Sequence, residues 1–226
     1  MQDALEPALQ EIGGTAISTT CAGRTDRGVH AHGQVVHFDT DAQRPASAWV
    51  RGVNAHLPDS VAVLWAHEVG GEFHARYSAR SRTYVYRLLN RPVRPALGAA
   101  YLGWFHLPLD VAAMRAAAAL FVGEHDFSAF RSSECQAKSP VRTIHSLTVE
   151  KHDEEVDFVI RANAFLHHMV RNIVGTLVYV GKGKHPPEWI REVLLSRNRS
   201  NAAPTFGPEG LYLENVEYEP RWGLPQ

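Results

Sequence analysis

The pattern of apolar and polar positions predicts short helices and strands distributed along the whole chain. Apolar residues recur at helical spacing in residues 3–12, 46–56, 110–121, 166–179 and 187–195. They alternate as in half-buried strands in residues 15–21, 34–38, 60–69, 82–90, 141–151, 156–163 and 210–216. The proline- and glycine-rich residues 91–109 read as a long loop, and residues 123–127 as a turn. Because strands joined in hairpin style alternate with helices, the pattern indicates the α+β class.

Composition narrows the class of protein. The 226 residues are 45% hydrophobic and 21% charged, with a formal net charge of −1, which is ordinary for a globular protein. We find no apolar run of membrane-spanning length and no secretory signal pattern. Two cysteines, Cys21 and Cys135, are too few for a disulfide framework and fit a reducing compartment, so we expect a cytoplasmic protein. The thirteen histidines are scattered and do not have the spacing of a zinc site.

Charge is unevenly placed despite the near-neutral total. Residues 73–109 contain no Asp or Glu, yet they carry six arginines. A basic face on a neutral protein suits binding to a phosphate backbone, although solvated arginines on strand edges would look the same. The six are Arg76, Arg80, Arg82, Arg87, Arg91 and Arg94.

One loop carries the strongest candidate chemistry. The stretch GRTDRGVHA places Asp26 between Arg24 and Arg27, with Gly23 and Gly28 outside them. Glycines permit positive φ angles, so a tight loop between two strands can present the carboxylate to a ligand, with guanidinium groups holding it ionised. A charged turn with a surface ion pair is the structural alternative.

This loop resembles the catalytic loop of the tRNA pseudouridine synthase A (TruA) family, A-G-R-T-D-x-G-V-H-A. The match continues through GQVVHF at residues 33–38, and also covers RTYVYRL, GEHDFSAF, SPVRTI, AFLHHMVRNIVG and GLYL. The resemblance implies two ferredoxin-like subdomains, with mixed, mainly antiparallel sheets that meet at a central catalytic cleft. It places the first in residues 1–73 and the second in residues 74–226. The chain opens inside a helix, and we expect that about 30 residues, the strand and loop that precede this helix in the family, are absent.

The resemblance also implies roles for single residues. It makes Asp26 the catalytic carboxylate, Arg171 its counter-ion, and Tyr84, Leu211 and Arg24 substrate-binding residues. The pattern alone leaves Tyr84 as a half-buried strand residue that shares its face with Tyr86, and leaves Arg171 as an interruption of an apolar helical stripe that would be costly to bury unpaired. Residues expected to bind RNA are Arg76, Arg80, Arg82, Lys138, Arg142 and His168. Paired histidines at the start of a helix, such as His167 and His168, are more often structural or RNA-facing than metal ligands.

The implied activity is isomerisation of uridine to pseudouridine at positions 38–40 of the tRNA anticodon stem-loop. The C1′–N1 bond breaks, the uracil rotates and it rejoins through C5, so neither a metal nor a nucleotide cofactor is expected. The expected partners are tRNA and a second copy in a homodimer. One alternative is a non-catalytic tRNA-binding or folding module, given the missing N-terminal segment. Another is a carboxylate hydrolase acting on nucleosides, which would need a second acidic residue near Asp26.

Overall fold

The computed structural model describes residues 1–225, which divide into two compact units. Unit 1 comprises residues 1–24, residues 34–80 and the C-terminal residues from Glu217; unit 2 comprises residues 25–33 and 81–216. The boundary predicted between residues 73 and 74 lies near the passage from unit 1 to unit 2 at Arg80–Ser81. Residues 25–33, which the prediction assigned to the first subdomain, belong by their contacts to unit 2.

Helices and strands alternate along the described chain, as the pattern predicted, and the α+β class is confirmed. In chain order the elements are α1 (Gln2–Gly13), β1 (Thr20–Cys21), β2 (His30–Ala31), β3 (Val36–His37), α2 (Ala46–Asn54), β4 (Ser81–Asn90), β5 (Gly103–Phe105), α3 (Val111–Ala119), β6 (Gly123–Asp126), β7 (Val141–His152), β8 (Glu155–Ala162), α4 (Met169–Gly181), α5 (Trp189–Ser196) and β9 (Leu211–Glu217).

Unit 1 is built on the apolar faces of α1 and α2. The helical spacing of Leu5 and Leu9 in α1, and of Trp49 and Val53 in α2, puts these side chains into one buried cluster. Helix α1 ends where Gly14 takes a left-handed conformation (φ 75°), in which a side chain would be strained. Strands β1 and β3 form a two-stranded antiparallel ladder beside this core.

Unit 2 is organised around a seven-stranded sheet. Its order is β2-β9-β4-β8-β7-β6, with β5 paired to β4. The β4–β8, β7–β8 and β6–β7 pairs are antiparallel, while β2–β9 and β4–β5 are parallel. The sheet is therefore mixed and mainly antiparallel, as expected.

Helix α4 forms the centre of the unit 2 core. Its residues from Met169 to Gly181 are buried except for Arg171 and Tyr179, and it packs against α3. Asp110 caps α3 by accepting a hydrogen bond from the Ala113 N–H at 3.0 Å. His167 and His168 directly precede Met169, so the start of this buried helix fixes the position of their backbone.

The structure corrects four predicted elements. Strand β1 covers only two of the residues predicted at 15–21, and residues 60–69 form no strand within the described chain. There the side chain of Asn54 bonds both the N–H (2.7 Å) and the carbonyl (2.8 Å) of Val63, in place of a ladder partner. The predicted loop at 91–109 contains β5, and the predicted turn at 123–127 contains β6, which pairs with β7.

No helix within residues 1–225 is both long and apolar enough to cross a membrane.

Candidate active site

The loop that carries Asp26 is attached to the sheet of unit 2. The N–H of Val29 donates to the carbonyl of Asp26 at 3.0 Å, which closes a tight turn, and Gly28 in this turn has φ of +82°. A Cβ at Gly28 would lie 3.0 Å from Cγ of Pro208, so the position suits glycine in both space and backbone conformation. Strand β2 then pairs with β9, His30 opposite Tyr212. These contacts fix where the Asp26 backbone lies.

Gly23, which precedes this loop and belongs to unit 1, is held by the side chain of Gln34. The side chain of Gln34 donates to the carbonyl of Gly23 at 2.7 Å and accepts from its N–H at 3.2 Å. Gly23 is not among the residues with positive φ. Of the two glycines in the predicted loop, Gly28 alone uses that conformational freedom.

Two adjacent histidines contact the carboxylate of Asp26. Nε2 of His167 lies 3.1 Å from Oδ2 of Asp26, and Nε2 of His168 lies 3.5 Å from the same oxygen. The two imidazole rings lie 4.0 Å apart, centroid to centroid. His168 adopts a left-handed backbone (φ 62°), which is uncommon for a residue with a side chain and marks a locally constrained site.

The protonation of His168 is shifted by its surroundings. Partial burial lowers its pKa from the ordinary 6.5, the charges of His167 and Arg171 lower it further, and the carboxylate of Asp26 opposes the shift. His168 is therefore mainly neutral at pH 7, when one of its ring nitrogens can donate a hydrogen bond. The cluster of ligand atoms around Asp26 comprises two imidazoles, whereas a hydrolase acting through a pair of carboxylates would need a second acidic residue there.

Tyr84 lies on β4 and is 6% exposed. Its ring packs edge-on against Phe165, with centroids 4.9 Å apart. Burial raises the pKa of Tyr84 to about 12, although the charge of Arg82 opposes the rise, and the charge of Asp26 adds to it. The hydroxyl group thus stays protonated at neutral pH, and the electrostatic influence of Asp26 reaches this side chain.

Tyr86, which lies on the same face of β4 as Tyr84, is held in the core by its neighbours. Its hydroxyl donates to the carbonyl of Gly207 at 2.9 Å, and its ring packs against Phe158 and Phe206. Gly103 faces the same ring so closely that an added Cβ would overlap it. The structure separates two tyrosines that the alternating pattern left equivalent.

In the part of the chain that the structure describes, Arg171 and Asp26 do not form the predicted direct ion pair. The Nε–H of Arg171 donates to the carbonyl of Phe206 at 2.8 Å, and the histidines occupy the positions next to the carboxylate. The resemblance to the family, not the residue pattern, implied that pairing. The carbonyl of Phe206 instead accepts from the Nε–H of Arg171, and the charge of the guanidinium lowers the pKa of His168.

The other predicted substrate-binding residues lie in different surroundings. Leu211 begins β9 and is buried, and its N–H donates to the carbonyl of Pro208 at 2.9 Å. Arg24 is exposed and belongs to unit 1, whereas Asp26, Tyr84 and Leu211 belong to unit 2.

The predicted RNA-binding residues are not alike in exposure. Arg76, Arg80 and Lys138 are exposed. Arg82 is 7% exposed and donates to the carbonyl of Asn163 at 3.1 Å, so it does not present the open phosphate-binding surface that was predicted. Arg142 is partly buried; it donates to the carbonyls of Ser139 and Val141, and burial lowers its pKa.

Sequence reasoning did not assign His167 to the site. The relevant signal was the histidine pair directly before the apolar stripe of α4, but a contact across 141 positions is not visible from that spacing. The ligand atoms of Asp26, His167 and His168 lie within 4.8 Å of one another, a donor set that could hold a cation. A carboxylate hydrogen-bonded to imidazole accounts for the same proximity without an ion.

Comparison with known proteins connects this geometry to a family. The model of the family described as "tRNA pseudouridine synthase" matches residues 1–78 and 117–219. A tRNA pseudouridine synthase A from Dechloromonas aromatica is 56% identical over 225 residues, covering 100% of this chain and 86% of the relative. The enzymes of that name from Thiobacillus denitrificans and Burkholderia thailandensis are 56% and 58% identical, each over 100% of this chain, and over 87% and 83% of their own lengths. The chain therefore belongs to the tRNA pseudouridine synthase A family, whose members are isomerases that convert uridine to pseudouridine.

Proposed function

We propose that this protein isomerises uridine at positions 38–40 of the tRNA anticodon stem-loop, with Asp26 as the catalytic carboxylate. The observation that carries the proposal is the position of Asp26 in unit 2: a tight turn fixes its backbone, and His167 contacts its Oδ2 atom. A positioned carboxylate can begin the reaction by attack at C1′ of the ribose, addition at C6 of the uracil, or abstraction of the C2′ proton.

Each route has the same balance of bonds. The C1′–N1 bond breaks, the detached uracil rotates, and a C1′–C5 bond forms. The hydrogen on C5 leaves as a proton, N1 gains a proton, and no electron is transferred to or from another molecule. A base that is buried in a stem or loop must leave its stack before a carboxylate can reach it.

The residues around Asp26 have complementary tasks in this proposal. His167 orients the carboxylate through the 3.1 Å contact. Tyr84 supplies an aromatic face for the displaced uracil, and its protonated hydroxyl can hydrogen-bond. Leu211 shields the detached base from water, which would otherwise compete for the activated sugar. Arg171 contributes positive charge at longer range, through its effect on His168.

Mapping the product tests the function directly. Purified protein is incubated with tRNA transcripts that carry uridine at 38, 39 and 40, and pseudouridine is located by carbodiimide modification and primer extension. We expect pseudouridine at those positions, and no product in a transcript in which all three are cytidine. Binding of tRNA without any pseudouridine would instead support the non-catalytic binding module, and modification confined to other positions would contradict the proposed site.

A further inference from the structure

A second feature of unit 2 is a cleft of about 590 Å³ that we call the arginine cleft. It is lined by Arg131, Arg197 and Arg199, by His168, and by hydroxyl groups such as those of Ser132 and Thr205. No Asp or Glu lines it within the described residues. The predicted RNA-binding set included His168 but none of these three arginines.

Hydrogen bonds to neutral groups hold two of the arginines without cancelling their charge. Arg199 donates to the side chains of Asn172 (3.0 Å) and Thr205 (3.1 Å), and Arg131 donates to the carbonyl of Cys135 (3.0 Å). Ordering a guanidinium in advance reduces the entropy lost when it binds an anion.

One of the cleft arginines is paired with a carboxylate. Nε of Arg197 is 3.2 Å from Oδ2 of Asp126, and the side chain of Arg197 remains 69% exposed. Burial raises the pKa of Asp126, but hydrogen bonds with Ser128 lower it and the charges of Arg197 and Arg131 lower it further, so the net shift is downward. Three guanidinium groups thus line the cleft itself, while the nearby carboxylates, those of Asp126, Asp26 and Glu134, lie outside its lining.

The arginine cleft adjoins the candidate catalytic carboxylate. His168 lines the cleft and also lies 3.5 Å from Asp26. The N–H of Ser132, which also lines the cleft, donates to the carbonyl of His167 at 3.0 Å. An anion held in the cleft would thus lie next to the residues that contact Asp26.

The lining favours phosphate over a base. Sites that bind single-stranded nucleic acid through its bases use aromatic rings as stacking surfaces, whereas the arginine cleft has guanidinium, hydroxyl and amide groups, with His168 as its single ring. Guanidinium groups bind phosphate oxygens in bidentate fashion. The hydroxyl of Thr205 donates to Oδ1 of Asn172 at 2.7 Å, which leaves the serine hydroxyls as the further donors. A flipped nucleotide rotates about its backbone, so fixing the phosphates beside it helps to hold the base in place.

We propose that the arginine cleft binds the backbone phosphates next to the target uridine of the RNA substrate. The inference rests on the proposed function, because it takes tRNA as the ligand. It predicts that Arg131 and Arg197 contribute to substrate affinity more than to the chemical step.

The test compares Arg131→Gln/Arg197→Gln with a matched double variant, Arg51→Gln/Arg191→Gln, which removes two exposed arginines elsewhere. The dissociation constant for tRNA is measured against salt concentration, and KM and kcat are measured by tritium release. We expect the cleft variant to bind tRNA about tenfold or more weakly, with the log–log salt slope reduced by about 1 to 2 and kcat changed less than KM. The matched variant should retain the parental slope.

The single variant Arg197→Gln separates lost binding from lost folding, because this side chain is largely exposed. It should lower the salt slope by about 1 and leave the melting temperature unchanged. If both cleft variants kept the parental salt slope and the parental KM, the inference would be overturned. The proposed function would stand, because it rests on the activity of the parental protein. Binding of inorganic pyrophosphate is measured as well. If the parent bound it at micromolar concentration and the double variant did not, while their tRNA affinities were equal, the cleft would be a site for free anions and the inference would be overturned.

Discussion

Nε2 of His167 lies 3.1 Å from Oδ2 of Asp26, although 141 positions separate the two residues in the chain. A hydrogen bond of this length restricts the orientation of the carboxylate. It is the shorter of two contacts, with that of His168 at 3.5 Å, through which the residues before α4 act on the loop that carries Asp26.

Removing this contact should slow the chemical step. We expect His167→Ala to lower kcat about 10- to 100-fold, a barrier increase of about 1.4 to 2.7 kcal/mol, with a smaller change in KM. His145→Ala, on the exposed side of β7, is the matched control and should keep the parental kcat. An unaltered kcat in His167→Ala would mean that the contact does not position the carboxylate.

The lowered pKa of His168 predicts how stability depends on pH. The folded state binds a proton at this residue less readily than the unfolded state does, so the unfolded chain gains protons first as the solution is acidified. The contribution of neutral His168 is complete above its unfolded pKa of about 6.5 and is lost as the pH falls below that value. In urea titrations from pH 7.5 to 5, His168→Gln should lose less stability than the parent. An equal loss in both proteins would contradict the assignment.

Tyr84 offers a test of stacking against hydrogen bonding. Because the flat ring is the proposed binding surface for uracil, Tyr84→Phe should retain activity within about tenfold, and Tyr84→Leu should lose at least about 100-fold. In a spectroscopic pH titration of the folded protein, the tyrosinate signal of this residue should not appear below pH 11, given its pKa of about 12. If the leucine variant were as active as the phenylalanine variant, the ring would not serve as the stacking surface.

The turn at Gly28 connects backbone conformation to activity. Gly28→Ala would place a side chain at φ +82° and 3.0 Å from Pro208, so we expect a loss of about 1 to 2 kcal/mol of stability and a lower kcat as Asp26 shifts. Gly98→Ala is the control, because Gly98 also has positive φ (72°) but no atom within 4 Å of an added Cβ. Its stability should fall by a similar amount while kcat stays parental, and a parental kcat in Gly28→Ala would show that the turn does not set the position of Asp26.

Much of the fold was predictable because its elements have strong periodic patterns. The apolar stripe of α4 and the alternation in β4 decide burial by themselves. The pattern was less informative for β6, whose four residues GEHD form a strand because β7 supplies the ladder partner. At residues 60–69 it predicted a strand, but Asn54 satisfies the backbone of Val63 instead.

The candidate site was predictable only in part. The local residues made Asp26 a candidate and the resemblance of its loop to the family implied its role, but the partners of a charged group depend on three-dimensional proximity. Arg171 was predicted to pair with Asp26, and it bonds to the carbonyl of Phe206. His167 contacts the carboxylate, although a histidine next to a helix has many structural explanations.

The central claim is that the carboxylate of Asp26 performs the chemistry. Its most direct test is the release of tritium from tRNA labelled at C5 of uridine, measured for the parent and for Asp26→Asn, with tRNA binding measured in parallel. The change preserves the shape of the side chain and removes its charge, so we predict release at least about 1,000-fold slower and a dissociation constant within about threefold of the parent. Release by Asp26→Asn within tenfold of the parental rate, a barrier difference of only about 1.4 kcal/mol, would contradict the account.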